Sequence, residues 1–125
     1  MRRFKFRKHK FDTQRQEIDG YKFQSKAEAE RYEQLKLLEA AEKIREIEVH
    51  PRFKIVVNGV KICTVVLDFQ YYDYENCRHV YEDVKVERRG RDGKVAFSTD
   101  TRISKIGRKL LDAVHGIDVN LIYHT

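Results

Sequence analysis

The chain has 125 residues and a formal net charge of +6, with 37% charged and 41% hydrophobic residues. This length and composition fit one domain with a substantial core and exclude an intrinsically disordered chain. Every apolar run is shorter than the ~20 residues that cross a bilayer, and the N-terminus lacks the apolar centre of a signal peptide, so we expect no membrane contact.

The excess positive charge lies at the N-terminus. Residues 1–15 (MRRFKFRKHKFDTQR) contain seven Lys or Arg and one acid, whereas the remaining residues are electrically neutral. Phenylalanines alternate with these cations, which suits a polyanion because cations bind phosphates and rings stack on bases. We interpret the segment as a basic arm preceding a single domain at residues 16–125; a solvated tail or a basic first strand are the alternatives. The predicted nucleic-acid-binding residues of the arm are Arg2, Arg3, Lys5, Arg7, Lys8 and Lys10.

The strongest helix signal follows the arm. The sequence DGYKF (19–23) predicts a turn and a short extended segment. Residues 25–47 (SKAEAERYEQLKLLEAAEKIREI) then predict a long helix, because good helix formers run throughout and Ser25 suits the N-cap. His50-Pro51 is expected to end this helix.

Strands and a second helix are predicted beyond Pro51. Asn58-Gly59 predicts a hairpin between a strand at 52–57 and a long strand at 60–74, and a third strand is expected at about 79–88. A helix at 100–116 and a final strand follow. The apolar stripe predicted for this helix is Ile103, Ile106, Leu110 and Val114, with Gly116 as C-cap. The order αβββαβ predicts an α/β (α+β) fold in which helices flank a mixed central sheet.

Two charged residues interrupt the apolar pattern of the third strand. Asp83 and Lys85 share one face, whereas Val80 and Val84 point to the other. Antiparallel pairing places Asp68 of the preceding strand opposite this region. Two neighbouring carboxylates repel each other, and a divalent cation relieves that repulsion. With a lysine beside them, the pattern favours metal-assisted hydrolysis in which a cation stabilises developing negative charge.

A further carboxylate is predicted on the first helix. Glu28 lies at the centre of the stripe that contains Ala29 and Tyr32, so it faces the sheet, whereas Glu30 lies nearly opposite among polar residues. A capping box with Ser25 is the alternative role for Glu28.

Other interpretations of the charged strand stay open. Asp83 can pair with Lys85 or an arginine, and Glu82 fits an ordinary edge or turn residue. Cys63 and Cys77 are too few and too far apart for a zinc site, which favours a reduced, cytoplasmic protein.

Asp68 followed by Asp83-Val84-Lys85, within an αβββαβ order, resembles the PD-(D/E)XK nuclease superfamily. The likeness extends to its small phage- or prophage-encoded members, which resemble Holliday junction resolvase-type endonucleases. It covers about residues 19–115, through segments similar to DGYKFQSKAEAERYEQLKLLE, HPRF, LDF, YEDVK and TRISKIGRKLL. Leu67 stands where the superfamily's name expects proline, and Val86 stands where relatives frequently have glycine.

The resemblance implies roles for individual residues. Asp68 and Asp83 would be metal ligands together with the Val84 carbonyl, and Glu28 would be a further ligand. Lys85 would orient the attacking water or stabilise the pentacovalent phosphate. Mg²⁺ is the expected ion, and Mn²⁺ should substitute. On the second helix, Lys105 and Lys109, with Arg102 and Arg108, either hold phosphates or form its solvated face.

The same resemblance predicts the substrate. Small members of this superfamily cut branched DNA, and two symmetric cuts in a four-way junction require a C2 homodimer. The expected function is therefore a Mg²⁺-dependent DNA endonuclease of phage recombination or DNA processing. A flap or single-strand nuclease, or a non-catalytic nucleic-acid-binding protein that keeps the nuclease fold, are the alternatives.

Overall fold

The computed structural model describes residues 15–124, so the predicted contacts of the arm at Arg2 to Lys10 lie outside the described residues. Within residues 15–124, neither helix is long and apolar enough to cross a membrane. The described elements are β1 (Gln16–Ile18), β2 (Tyr21–Phe23), α1 (Lys26–Ala40), β3 (Ile44–Val49), β4 (Arg52–Val57), β5 (Val60–Val66), β6 (Phe69–Asp73), β7 (Arg78–Arg89), β8 (Val95–Ser98), α2 (Arg102–His115) and β9 (Val119–His124).

The largest sheet is built on β7, the longest described strand. β3, β6, β7 and β8 are antiparallel neighbours in that order, and β9 pairs with β7 in parallel. The sheet is therefore mixed, and the fold is α+β, as the sequence predicts. The strand predicted at 52–57 is not part of this sheet, because β4 pairs with β5 in a separate hairpin, and β3, from a segment predicted as helix, takes the place beside β6.

Two hairpins stand outside the large sheet, and tight turns close both. β1 pairs with β2 across Asp19-Gly20, and β4 pairs with β5 across Asn58-Gly59. All four turn residues have positive φ, the geometry that Asn, Asp and Gly adopt at low cost in such turns. Both turn predictions are confirmed. The prediction of one long strand at 60–74 is wrong, because the strand is interrupted at Leu67 and Asp68, between β5 and β6.

The first helix is shorter than predicted. Ser25 caps it, with its Oγ accepting the Glu28 N–H at 3.2 Å, but it ends at Ala40 rather than continuing to residue 47. Glu42 takes a left-handed φ of 59°, and β3 follows. Residues 41–47 have helix-forming composition, yet pairing with β6 and burial of Ile44 in the core override local propensity.

The structure confirms the predicted residue range of the second helix but not the prediction of which side chains face the core. Thr101 is its N-cap, and Gly116 ends it with a left-handed φ of 66°. Ile103 and Ile106 of the predicted stripe are 83% and 57% exposed, so that prediction is wrong. The buried positions are Gly107 and Leu111. A Cβ on Gly107 would lie 3.6 Å from the Val65 side chain, so the absence of a side chain lets α2 approach β5 closely.

Two apolar clusters lie on the two faces of β7. Val80 and Val84 pack with Tyr32 and Leu35 of α1, whereas Tyr81 packs in the second cluster with Leu111 of α2. The predicted alternation of faces along β7 is therefore confirmed. The large sheet lies between the two helices. The charged residues of β7 therefore have α1 on one side of the strand and α2 on the other.

Candidate active site

The site lies beside a gap in the large sheet. Pairing of β6 with β7 ends at Phe69 and Glu82, and pairing with β8 begins only at Glu87. Between these points β7 keeps a strand partner, β9, on its other edge. Val84 and Val86 direct their N–H groups into the gap, where side chains from outside the strands accept them. The interruption makes room for polar side chains next to a central strand.

Asp68 occupies this gap. Its Oδ2 accepts the Val84 N–H at 2.6 Å, and its own N–H donates to the Glu82 carbonyl at 3.2 Å. The carboxylate accepts the backbone hydrogen bond that a neighbouring strand would otherwise accept, which explains why strand pairing is interrupted there. Burial, then hydrogen bonding and repulsion from Glu28 and from Asp83, raise the pKa of Asp68 far above its ordinary value of 3.8. The predicted opposition of Asp68 and Asp83 is confirmed.

Asp83 and Lys85 lie side by side on the α2 face of β7. The Lys85 Nζ is 3.1 Å from Asp83 Oδ2 and donates to the Ser104 hydroxyl at 3.2 Å. Lys85 is only 7% exposed, so these two partners hold its ammonium in one place. Ser104 was absent from the sequence prediction. The face of α2 that buries Gly107 and Leu111 also directs Ser104 towards Lys85, whereas Ile103 is exposed.

Glu28 joins Asp68 from the first helix and serves two roles. Its Oε2 accepts the Gln24 N–H at 2.9 Å, which satisfies a backbone donor just before the helix. Its carboxylate also lies against Asp68. One side chain thus accepts a backbone N–H ahead of the helix, although from Gln24 and not from Ser25 as in a capping box, and also contacts Asp68.

Glu30, predicted among the polar residues nearly opposite Glu28, contacts the last strand. Its Oε2 lies 2.6 Å from the His124 Nε2 of β9, and its Oε1 lies 3.9 Å from Lys26. The helical phase itself is correct, because Glu28 and not Glu30 approaches Asp68. Sequence periodicity places Glu30 away from the first cluster but carries no information about the last strand.

The structure changes the interpretation of two residues, Glu82 and His50. Glu82 is not an edge or turn residue: it is 1% exposed and forms two hydrogen bonds with the Arg31 guanidinium, at 2.8 and 2.7 Å. It faces α1 and lies apart from the site acids. His50, which the sequence prediction placed only at a helix end, lies beside Glu28 and Asp68, and each of the three offers one ligand atom within 4.8 Å of the others.

Two further basic side chains line the cleft of the site. The cleft has a volume of about 460 Å³, and Glu28, Asp68, Asp83 and Lys85 line it together with Lys26 and Arg88. Lys105 and Lys109 on α2 are exposed. Arg108 is held by Asp100, with N–O distances of 2.7 and 3.0 Å, so it is less suited to phosphate than predicted.

The arrangement fits a divalent cation. Among the described residues, Glu28, His50 and Asp68 have ligand atoms within 4.8 Å of one another, and Asp83 contacts Asp68 without belonging to that group. Repulsion of Asp68 by Glu28 and Asp83 is a cost that a cation would remove. Within residues 15–124, every buried side-chain nitrogen and oxygen has a hydrogen-bond partner, so the carboxylates are positioned by the fold itself.

Comparison with known protein families gives a match over most of the chain. The family described as a protein of unknown function (DUF1064) matches residues 8–88, well over half of the chain. The matched segment includes Glu28, His50, Asp68, Asp83 and Lys85. No curated protein and no solved structure matches the chain. On the extent of this match, the chain belongs to the DUF1064 family.

Proposed function

We propose that the protein is a Mg²⁺-dependent DNA endonuclease that hydrolyses phosphodiester bonds, with a restriction-endonuclease-like αβββαβ core. The observation that carries this proposal is that Asp68 contacts both Glu28 and Asp83 and that these acids line one cleft with the buried Lys85 at the gap in the sheet. The resemblance of Asp68 and Asp83-Val84-Lys85 to the PD-(D/E)XK superfamily supports the same reaction class.

The metal would be held by Asp68, Asp83 and Glu28. The N–H and C=O of one residue in an extended strand point to the same side, so the Val84 carbonyl is suited to join them. When bound, Mg²⁺ supplies positive charge at the phosphate oxygens and lowers the pKa of water. Mn²⁺ should substitute, because it takes the same oxygen ligands.

Lys85 supplies the positive charge that belongs to the protein itself. Its ammonium has three N–H donors, and Asp83 and Ser104 engage two of them. The third can reach a water molecule or a phosphate oxygen in the cleft. In a site shielded from solvent, such a fixed cation stabilises the charge that develops on phosphate.

Branched DNA is the substrate class within this proposal. A four-way junction needs two symmetric cuts, and a C2 homodimer supplies two sites in a fixed relation. The exposed apolar side chains of Ile103 and Ile106 on α2, beside Val66 of β5, offer a surface for a second copy. Sedimentation equilibrium of the full chain tests the homodimer.

Cleavage assays test the function directly. The full chain is incubated with labelled four-way junction, flap, linear duplex and single strand, each with Mg²⁺ and with EDTA. Mg²⁺-dependent cuts in the junction at symmetric positions are the expected result. Binding to all four DNAs without a cut in Mg²⁺ or Mn²⁺ would instead identify a non-catalytic nucleic-acid-binding protein.

Glu28→Gln is expected to lower the cleavage rate by one or more orders of magnitude and to raise the Mg²⁺ requirement. Glutamine can still accept the Gln24 N–H, but it is a poor metal ligand. Because it also removes repulsion from Asp68, thermal stability in EDTA should stay equal or rise. Rates across a Mg²⁺ titration measure the effect. Glu33→Gln is the control, since Glu33 is exposed on the same helix. Equal rates for Glu28→Gln and the wild type would limit Glu28 to capping.

Deletion of residues 1–11 is expected to weaken DNA binding and flatten its dependence on salt. The deletion removes six Lys or Arg, so fewer counterions are released on binding. The cleavage rate at saturating DNA should change less than the affinity. Titrations of labelled duplex at several salt concentrations give the slope, and a slope equal to that of the full chain would show that the arm does not contact phosphates.

A further inference from the structure

His50 lies beside two acids of the site, Glu28 and Asp68. Its Nε2 is 3.9 Å from Glu28 Oε1, the oxygen that Glu28 does not use for capping. Together with one oxygen of Asp68, these atoms lie within 4.8 Å of one another. Three ligand atoms at such separations can reach one ion without movement of the backbone.

The backbone holds His50 in this position. Its N–H donates to the Asp68 carbonyl at 2.9 Å, and the Pro51 carbonyl accepts the Leu67 N–H at 3.1 Å. The segment between β3 and β4 is thus bonded to the break between β5 and β6, which carries Asp68. His50 also has a φ of 54°, in the left-handed region that a non-glycine residue seldom adopts. Such backbone strain is concentrated at functional sites.

A solely structural role explains less of this arrangement. The His50 ring lies 6.0 Å from the Phe23 ring, so it covers part of the first apolar cluster. Packing against Phe23 requires an aromatic or apolar side chain but not a nitrogen directed at two carboxylates. Histidine is the commonest nitrogen ligand of metals in proteins.

We propose that His50 is a metal ligand through Nε2, so that Glu28, His50 and Asp68 form a mixed nitrogen and oxygen site for a divalent cation. This inference rests on the proposed function, because it uses two of the same carboxylates. It deepens that function by assigning a nitrogen ligand to an otherwise oxygen-only site. Such a site accepts transition metals that bind imidazole more readily than Mg²⁺ does.

Mn²⁺ bound to the full chain provides the test, because pulsed electron paramagnetic resonance detects a ¹⁴N coupling from a coordinated imidazole. The wild type is expected to show this coupling. His50→Asn is expected to lose it and to bind Mn²⁺ about tenfold or more weakly. Asparagine is chosen because it tolerates the left-handed backbone. His124→Asn is the matched control, since His124 lines the cleft that contains Glu28 and Asp68 but its Nε2 contacts Glu30, and it should keep the coupling.

The outcomes separate this inference from the proposed function. Mn²⁺ binding without ¹⁴N coupling in the wild type would overturn the role of His50 and leave the carboxylate site intact. Coupling that survives His50→Asn but disappears in His124→Asn would overturn it too. If the wild type binds no Mn²⁺, both this inference and the metal-dependent function fail. A structural role for His50 would alter thermal stability without changing the spectrum.

Discussion

Asp68→Asn and Asp83→Asn are each expected to abolish Mg²⁺-dependent cleavage while DNA binding persists. Both variants remove a negative charge and a strong metal ligand, but asparagine keeps the size of the side chain. In Asp68→Asn the amide oxygen can still accept the Val84 N–H, so the break in the strand should survive. Loss of several kcal/mol of charge stabilisation corresponds to a rate lower by about a hundredfold or more.

Single-turnover cleavage of the labelled junction measures this loss, and gel-shift titration in Ca²⁺ measures binding. Binding can become tighter, because a negative charge near phosphate disappears. Asp112→Asn is the control, since Asp112 is an exposed carboxylate on α2. A variant at Asp68 or Asp83 that cuts at the wild-type rate would remove that residue from the proposed site.

The same Asp68→Asn variant carries an expectation about stability without metal. Because the folded protein raises the pKa of Asp68, the favourable contribution of the protonated carboxyl is complete below the unfolded pKa near 3.8. That contribution is lost as pH rises towards the folded pKa. In EDTA, Asp68→Asn should therefore melt at a higher temperature than the wild type at neutral pH, and the difference should shrink towards pH 4. Mg²⁺ should stabilise the wild type more than the variant.

The sequence predicts the site better than it predicts the sheet around it. Alternation along β7 correctly places Asp83 and Lys85 on one face, and the phase of α1 correctly selects Glu28 over Glu30. Both predictions depend on the geometry of one element and its nearest partner. Such local periodicity is set by backbone stereochemistry and needs no knowledge of the remaining chain.

The errors arise in segments whose conformation is determined by contacts with residues distant in the sequence. Residues 44–49 form β3 because β6 and the first cluster bury Ile44, although the local composition favours helix. The orientation of α2 depends on the Lys85 contact with Ser104 and on the approach of Val65 to Gly107. A run of isoleucines in the sequence cannot reveal either contact. His50 was missed because its neighbours, Glu28 and Asp68, lie on separate elements.

Two neighbouring acids of β7, Glu82 and Asp83, lie on opposite faces of the strand and have different partners. Glu82 neighbours Asp83 in sequence, yet it points to the opposite face, where Arg31 and the Tyr71 hydroxyl donate to its carboxylate. The hydrogen bond with Glu82 is the largest cause that raises the pKa of Arg31. Arg31 therefore anchors α1 to β7, and α1 carries Glu28 into the site. The ion pair serves the site by positioning a helix.

Arg31→Met is accordingly expected to destabilise the fold by about 3–5 kcal/mol, because it leaves the Glu82 carboxylate buried without a counter-charge. Glu82→Gln should cost less, because the Arg31 side chain is 19% exposed and its charge can reach water, whereas Glu82 is enclosed. The double variant Arg31→Met/Glu82→Gln should recover much of the stability lost in Arg31→Met, since no charge remains buried and the amide can still accept from Tyr71. Urea unfolding of the four proteins in EDTA gives the coupling energy. Independent, additive losses would show that the two side chains do not act as a pair, and α1 would then be held to the sheet by its apolar contacts alone.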